Sequence, residues 1–311
     1  MKKVSIKSVS NTAVVLAALV ILCVALSLAS PFFAGRNNLV NIVLQATINA
    51  MLACGMTFVI LTGGIDLSVG SVVAFAGILL GAMLKSGVPL GAALAGCVLT
   101  GGVCGLVNGL LVTRVNLPAF IATLGMMSIA RGGALYIADG RAISGFSGKL
   151  NFIGSGTLLG VPVMILVMAA TFAIGMFLLR FTRAGRYIYA IGGNVEATRL
   201  SGINTGRYTV LVYGICGLTA GLAAVLLTAR LDSAQPVAGE GYELDAIAAT
   251  VIGGTSMSGG EGRLSGTFIG ALFIAVLNNG LNLLNVSSYI QQIVIGLVII
   301  FAVTFDRIRS K

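Results

Sequence analysis

The stretch LTGGIDLSVGS, residues 61–71, sets a carboxylate between two glycines and two serines, with long apolar runs on either side. Asp66 is the only acidic residue before Asp139. A loop between helices, a substrate site and part of a family signature are all readings of it. The choice depends on what the flanking runs are.

Apolar residues make up 57% of the 311 and charged residues only 9%, against roughly 25% charged in a soluble domain. Such a chain cannot cover a globule with a wet surface. Its 43 glycines follow no collagen-like period; in membrane bundles small residues let helix backbones approach closely. The chain therefore reads as an all-α polytopic membrane protein in a lipid bilayer. The net charge of +10 does not point to nucleic acid, because the charges fall at the ends of apolar runs with no basic stripe among aromatics. Cys23, Cys54, Cys97, Cys104 and Cys216 lie inside apolar runs without ligand spacing, so neither disulfides nor a metal site is expected. The absence of histidine removes Ser-His-Asp and Cys-His nucleophilic sites and imidazole-ligated metals.

Lys2, Lys3 and Lys7 precede an apolar run over 12–30. That run exceeds the core of a signal peptide, about 7–15 residues, and is long enough to cross a hydrocarbon layer of ~30 Å, so it reads as a retained anchor. Further runs lie at 39–61, 67–84, 90–113, 118–138, 161–180, 208–228, 244–258, 265–284 and 288–305. The eighth, 244–258, is short and rich in small residues, and is expected to be broken or re-entrant. Ten crossings put both termini on one side. With the N-terminus inside, thirteen of the nineteen basic residues fall inside, leaving Arg36, Lys85, Arg131, Arg141, Lys149 and Arg230 outside. That is the positive-inside bias, and it makes both termini cytoplasmic. Gly101, Gly105 and Gly109, and Gly262, Gly266 and Gly270, recur every four residues and mark faces for close helix crossings.

No G-x-x-x-x-G-K-[ST] motif is present, so this chain is not expected to hydrolyse nucleotide itself. Asp66, Arg131, Glu243 and Asp245 are the charges nearest apolar runs, and helix ends are the expected place for each. The longest hydrophilic stretch, RFTRAGRYIYAIGGNVEATRLSGINTGRY (180–208), holds five arginines, which places it inside. It reads as two short helical pieces broken at Gly192-Gly193, with Asn194 capping the second and Glu196 in its first turn, where a helix dipole favours a carboxylate. Such a helix either tidies a loop or docks a cytosolic partner.

EATRLSGI within this loop resembles the Glu-Ala-x-x-x-Gly coupling loop of ATP-binding cassette importers. GMTFVILTGGIDLSVGSVVAFAG (55–77), AGRYIYAIGGNVEATRLSGIN (184–204) and GYELDAIAATVIGGTSMSGGEGRLSGTFIGAL (241–272) are similar to signatures of the sugar-importing permeases of that class, nearest to its ribose-importing members. The resemblance implies one transmembrane permease domain over 1–311 in a bacterial inner membrane, forming a homodimer. It also implies a cytosolic ATP-binding subunit that carries the ATP and Mg, and a periplasmic sugar-binding protein. By that likeness Gly192, Gly193, Asn194, Glu196, Ala197, Arg199 and Gly202 form the ATPase-coupling loop. The aromatic and proline that follow the glycine in maltose-type loops are absent here.

The resemblance fixes no sugar path. Asn41, Gln45 and Asn49 recur at helical spacing in the second crossing, and Asn278, Asn282 and Asn285 in the ninth. Their amides donate and accept, which suits a hydroxyl-rich solute; hydrogen bonding between helices is the plainer use. The expected function is alternating access driven by a partner ATPase. The alternative is an ion-coupled secondary sugar carrier using Asp66 and Asp245. Within LTGGIDLSVGS, Asp66 is expected to cap the amides of Ser68 and Val69 ahead of the third helix.

Overall fold

Among the described residues all ten apolar runs fold as helices, with three shorter helices and four two-residue strands between them. The computed structural model describes residues 6–146 and 148–309; Lys2, Lys3 and Lys311 of the charge count lie outside the described residues. In chain order the helices are α1 (Ile6–Ala29), α2 (Arg36–Leu61), α3 (Val69–Lys85), α4 (Leu90–Arg114), α5 (Ala119–Ile137), α6 (Asn151–Gly154) and α7 (Val163–Phe181). After them come α8 (Arg183–Gly193), α9 (Val195–Leu200), α10 (Thr205–Leu231), α11 (Tyr242–Ile252), α12 (Leu264–Leu283) and α13 (Ser288–Arg309). Strand β1 (Ile143–Ser144) pairs antiparallel with β4 (Ser233–Ala234), and β2 (Thr157–Leu158) with β3 (Val161–Pro162). Among the described residues, six helices are long and apolar enough to cross a membrane: α2, α4, α5, α7, α10 and α12. The chain is an all-α polytopic membrane protein.

The core forms around α2 and α10. From Ala46 to Leu61 every residue of α2 but Asn49 is buried, so other helices surround its inner half. Glycine sets how closely they come. A Cβ on Gly101 or Gly105 of α4 would run into the Gly217 or Tyr213 carbonyl of α10, and Gly109 rests on Val210. On α12, Gly266 and Gly270 meet the backbone of Gly253 and Ala249 at the end of α11. Gly262 does not share that face; it precedes α12, in the turn after α11.

The eighth apolar run, 244–258, is helical only as far as Ile252. Past the β1–β4 pair the chain runs beside α3, with Ala234 against Gly81 and Gly239 against Gly70. Arg131 of α5 fastens this strap, donating through Nη1 to the carbonyls of Pro236 (2.7 Å) and Ala238 (2.8 Å). Only then does α11 begin. Its 11 residues rise ~16 Å, about half of the ~30 Å hydrocarbon layer.

Residues 62–68 also depart from a simple surface turn. The chain leaves α2 at Thr62 and folds back toward the interior, where the Tyr213 hydroxyl of α10 donates to the Ile65 carbonyl at 3.2 Å. Within 180–208 the break falls at Asn194 rather than at Gly192-Gly193. Both glycines complete the last turn of α8, and Asn194 turns to an extended backbone (φ −164°, ψ 105°).

Candidate functional site

The helical pair α8–α9 is built from its caps. The Thr182 hydroxyl accepts from the Gly185 amide at the start of α8 (3.2 Å). Asn194 Oδ1 accepts from the Ala197 amide (2.8 Å) at the start of α9, satisfying one of the free amides of its first turn. Arg199 reaches back with a two-point fork to Glu196, 2.6 Å to Oε1 and 3.1 Å to Oε2. This fork holds the Glu196 carboxyl below its ordinary range, but both side chains are largely exposed and such a pair contributes little stability. Gly202, at φ +80°, ends the piece in a conformation a side chain would strain.

The outward face of α9 is the notable part. Thr198 alone is buried, whereas Val195 (49%) and Leu200 (78%) are exposed beside Glu196 and Ala197. A short rigid helix thus presents apolar and charged groups to whatever lies beyond it.

Behind this face, α8 locks to two other turns. A Cβ on Gly192 would collide with the Leu61 carbonyl and the Gly260 amide, which are bonded to each other at 2.9 Å. The Tyr189 hydroxyl donates to the Gly262 carbonyl at 2.9 Å. The end of α2, the end of α8 and the loop before α12 therefore form one joined layer. Beside it lies a cavity of ≈ 390 Å³ lined by Thr62, Gly64, Asn116, Val195, Thr205 and Tyr213 among others. A Cβ on Gly193 would meet nothing, and that residue is exposed.

Asp66 lies under this layer, 1% exposed. Its Oδ1 accepts from the Ser68 amide (2.9 Å) and the Ser68 hydroxyl (2.6 Å), and Asn108 of α4 approaches at 3.4 Å while donating to the Ser68 hydroxyl at 2.9 Å. The Val69 amide is not among its donors, because the turn closes one residue earlier, on Ser68, the residue preceding α3. Asn108 was missed from sequence; a lone amide among the glycines and leucines of 105–111 was the available signal.

The two polar stripes have separate settings. On α2, Asn41 lines a cleft of ≈ 480 Å³ at the N-terminal end of the helix with Arg36, Asn37 and Asn38, Gln45 is half-buried, and Asn49 donates to Asp245 Oδ2 of α11 at 3.0 Å. On α12, Asn278 Oδ1 is buried with no protein partner among the described residues, and Asn282 Oδ1 accepts from Gln291 of α13 (2.8 Å). Asn285 does not belong to the helical stripe. It lies past the end of α12 at φ +55° and terminates the helix. The amides that do join α2 to α12 lie one or three residues away: Asn38 and Asn279 exchange two bonds, of 3.0 and 2.9 Å.

The family described as branched-chain amino acid transport system / permease component matches residues 38–303, which includes every element from α2 into α13. The chain belongs to this permease family. It is 49% identical to the ribose import permease protein RbsC of Escherichia coli (strain K12), over 94% of this chain and 92% of that one. The Bacillus subtilis (strain 168) protein of the same name is 48% identical over 94% and 91%. The D-allose transport system permease protein AlsC of E. coli (strain K12) is 42% identical over 92% and 88%. No solved structure matches the chain.

Proposed function

We propose that the chain is the transmembrane permease of an ATP-binding cassette importer for a monosaccharide, ribose being the first candidate. The observation that carries this reading is near-full-length identity of 48–49% to ribose import permeases from two distant bacteria. The reading includes a single permease domain with ten crossings, one of them broken, and cytoplasmic termini in the bacterial inner membrane. It also includes pairing with a second copy, two cytosolic ATP-binding subunits that hold ATP and Mg, and a periplasmic sugar-binding protein.

In this reading α9 is the coupling helix. Its exposed Val195, Glu196 and Leu200 seat in the ATPase, and α8 carries the ATPase movement to the joined layer at Leu61 and Gly260. That layer ends α2 and begins α12, so closure of the ATPases shifts two crossings together and turns the path from one side to the other. No bond of the sugar is broken. The ion-coupled alternative is not favoured by the relatives, all three of which are named as permeases of import or transport systems.

The test is co-purification with the candidate ATPase and binding protein, followed by ribose uptake into proteoliposomes containing ATP. Glu196→Lys should abolish sugar-stimulated ATP hydrolysis, while Arg199→Ala, which breaks the same fork, keeps most of it. Uptake that runs without the ATPase and stops with a proton uncoupler overturns the reading.

A further inference from the structure

Halfway along α2 the structure holds a group of polar side chains that neither the coupling layer nor the cleft at the N-terminal end of α2 uses. Asn49 stands thirteen residues from Arg36 and twelve from Leu61, ~20 Å from the outer end of the helix and so at the level of the bilayer centre. It bonds Asp245 Oδ2, while Asp245 Oδ1 has no protein donor among the described residues. Gln45 lies one turn outward on the same face of α2. Arg230, at the end of α10, donates through Nη1 to the Leu44 carbonyl (3.3 Å), and Tyr242 lies within electrostatic reach of both Arg230 and Asp245. All five side chains are half-buried. Among the described residues the only ion pair is Glu196–Arg199, so Asp245 and Arg230 do not neutralise each other or a neighbour.

Half-buried charged groups within a membrane bundle face a water-filled path or the bundle interior rather than hydrocarbon. Asp245 offers a free carboxylate oxygen, Gln45 an amide that donates and accepts, Arg230 unused donors, and Tyr242 a ring against which the C–H face of a sugar can lie. Vicinal hydroxyls require this mixture. We propose that Gln45, Asn49, Asp245, Arg230 and Tyr242 form a station, running from the outer end of α10 inward to Asn49, that binds monosaccharide hydroxyls during passage. Asp245 acts there as a hydrogen-bond acceptor, oriented by Asn49 and not by a coupling ion. The inference rests on the permease reading and adds the place of substrate contact.

The test uses the complete importer in proteoliposomes. Asp245→Ala and Asn49→Ala should each lower ribose uptake at least tenfold at saturating binding protein, while hydrolysis stimulated by the loaded binding protein stays within twofold. Asp245→Asn, which keeps an acceptor oxygen, should recover at least a third of the uptake. Independently, Gln45→Cys in a Cys23→Ser background should react with a membrane-impermeant methanethiosulfonate, and ribose should slow that reaction. Uptake within twofold of the parent in both alanine variants overturns the proposal, and so does a Gln45→Cys thiol that the reagent cannot reach. Absence of ATP-dependent uptake by the parent complex instead strikes the permease reading, whatever the labelling shows.

Discussion

Asn194→Ala isolates what a single hydrogen bond does for α9, the proposed coupling helix. At six residues, α9 is far below the ~12–15 residues at which an isolated helix begins to hold in water. It stands because Asn194 closes one end, Gly202 turns the chain at the other, and Thr198 is buried beneath. The Glu196–Arg199 fork is too exposed to substitute for these. Removing the cap leaves the Ala197 amide without its 2.8 Å acceptor, at a cost of ~1 kcal/mol, or about a fivefold rise in the opening equilibrium of α9. Hydrogen exchange on the detergent-purified permease should read this as about fivefold faster exchange at Ala197 and Thr198, with the α10 amides unchanged. Affinity for the ATPase should fall by no more than the same factor, since docking loses only the fraction of molecules in which α9 is open. Asn194→Ser, an equally good cap, should restore both. Unchanged exchange at Ala197 in the alanine variant, or an equal loss in the serine variant, would refute the reasoning.

Gly105→Val places methyl groups against the Tyr213 carbonyl and should cost at least 1–3 kcal/mol by overpacking, seen as a lower melting temperature in detergent. A double-mutant cycle on Asn38 and Asn279 should give a coupling of ~0.6 kcal/mol, the usual worth of a polar pair between membrane helices. Tyr189→Phe removes the bond to Gly262 and should lower uptake per ATP hydrolysed while leaving ATPase docking intact, measured in the same vesicles. Asp66→Ala strands the Ser68 amide and hydroxyl and should cost about 1–3 kcal/mol. Asp66→Asn should fold and transport nearly as the parent does; complete loss of uptake by well-folded Asp66→Asn would return that carboxylate to an ion-coupling role.

The helices could be read from sequence because each has a run of apolar residues bounded by charge, glycine or proline, and such runs mark helices wherever they are long enough. Asn194 as a cap was legible for the same local reason: its bond spans three residues. What was not legible depends on depth and partners. Residues 62–68 read as a loop with a helix cap, but not as one that Asn108 and Tyr213 from two distant helices hold in the interior. Residues 235–241 carry no hydropathy signal of their own, so nothing announced a strap bound by Arg131. Asn285 fitted the helical spacing of its stripe, but the helix stops before reaching it.

The joined layer at Leu61, Gly192 and Gly260 bears on how such permeases can be recombined. α9 looks like a removable adapter, six residues with a cap at each end. Its seat, however, is spread over three stretches distant in the chain, and Gly192 admits no side chain between the other two. A chimera that swaps only the loop around α9 would graft the proposed docking surface without the three-part footing beneath it. On the proposed coupling role the transmitting unit is discontinuous, and exchange between relatives should succeed only when residues 61–64, 183–202 and 259–263 travel together.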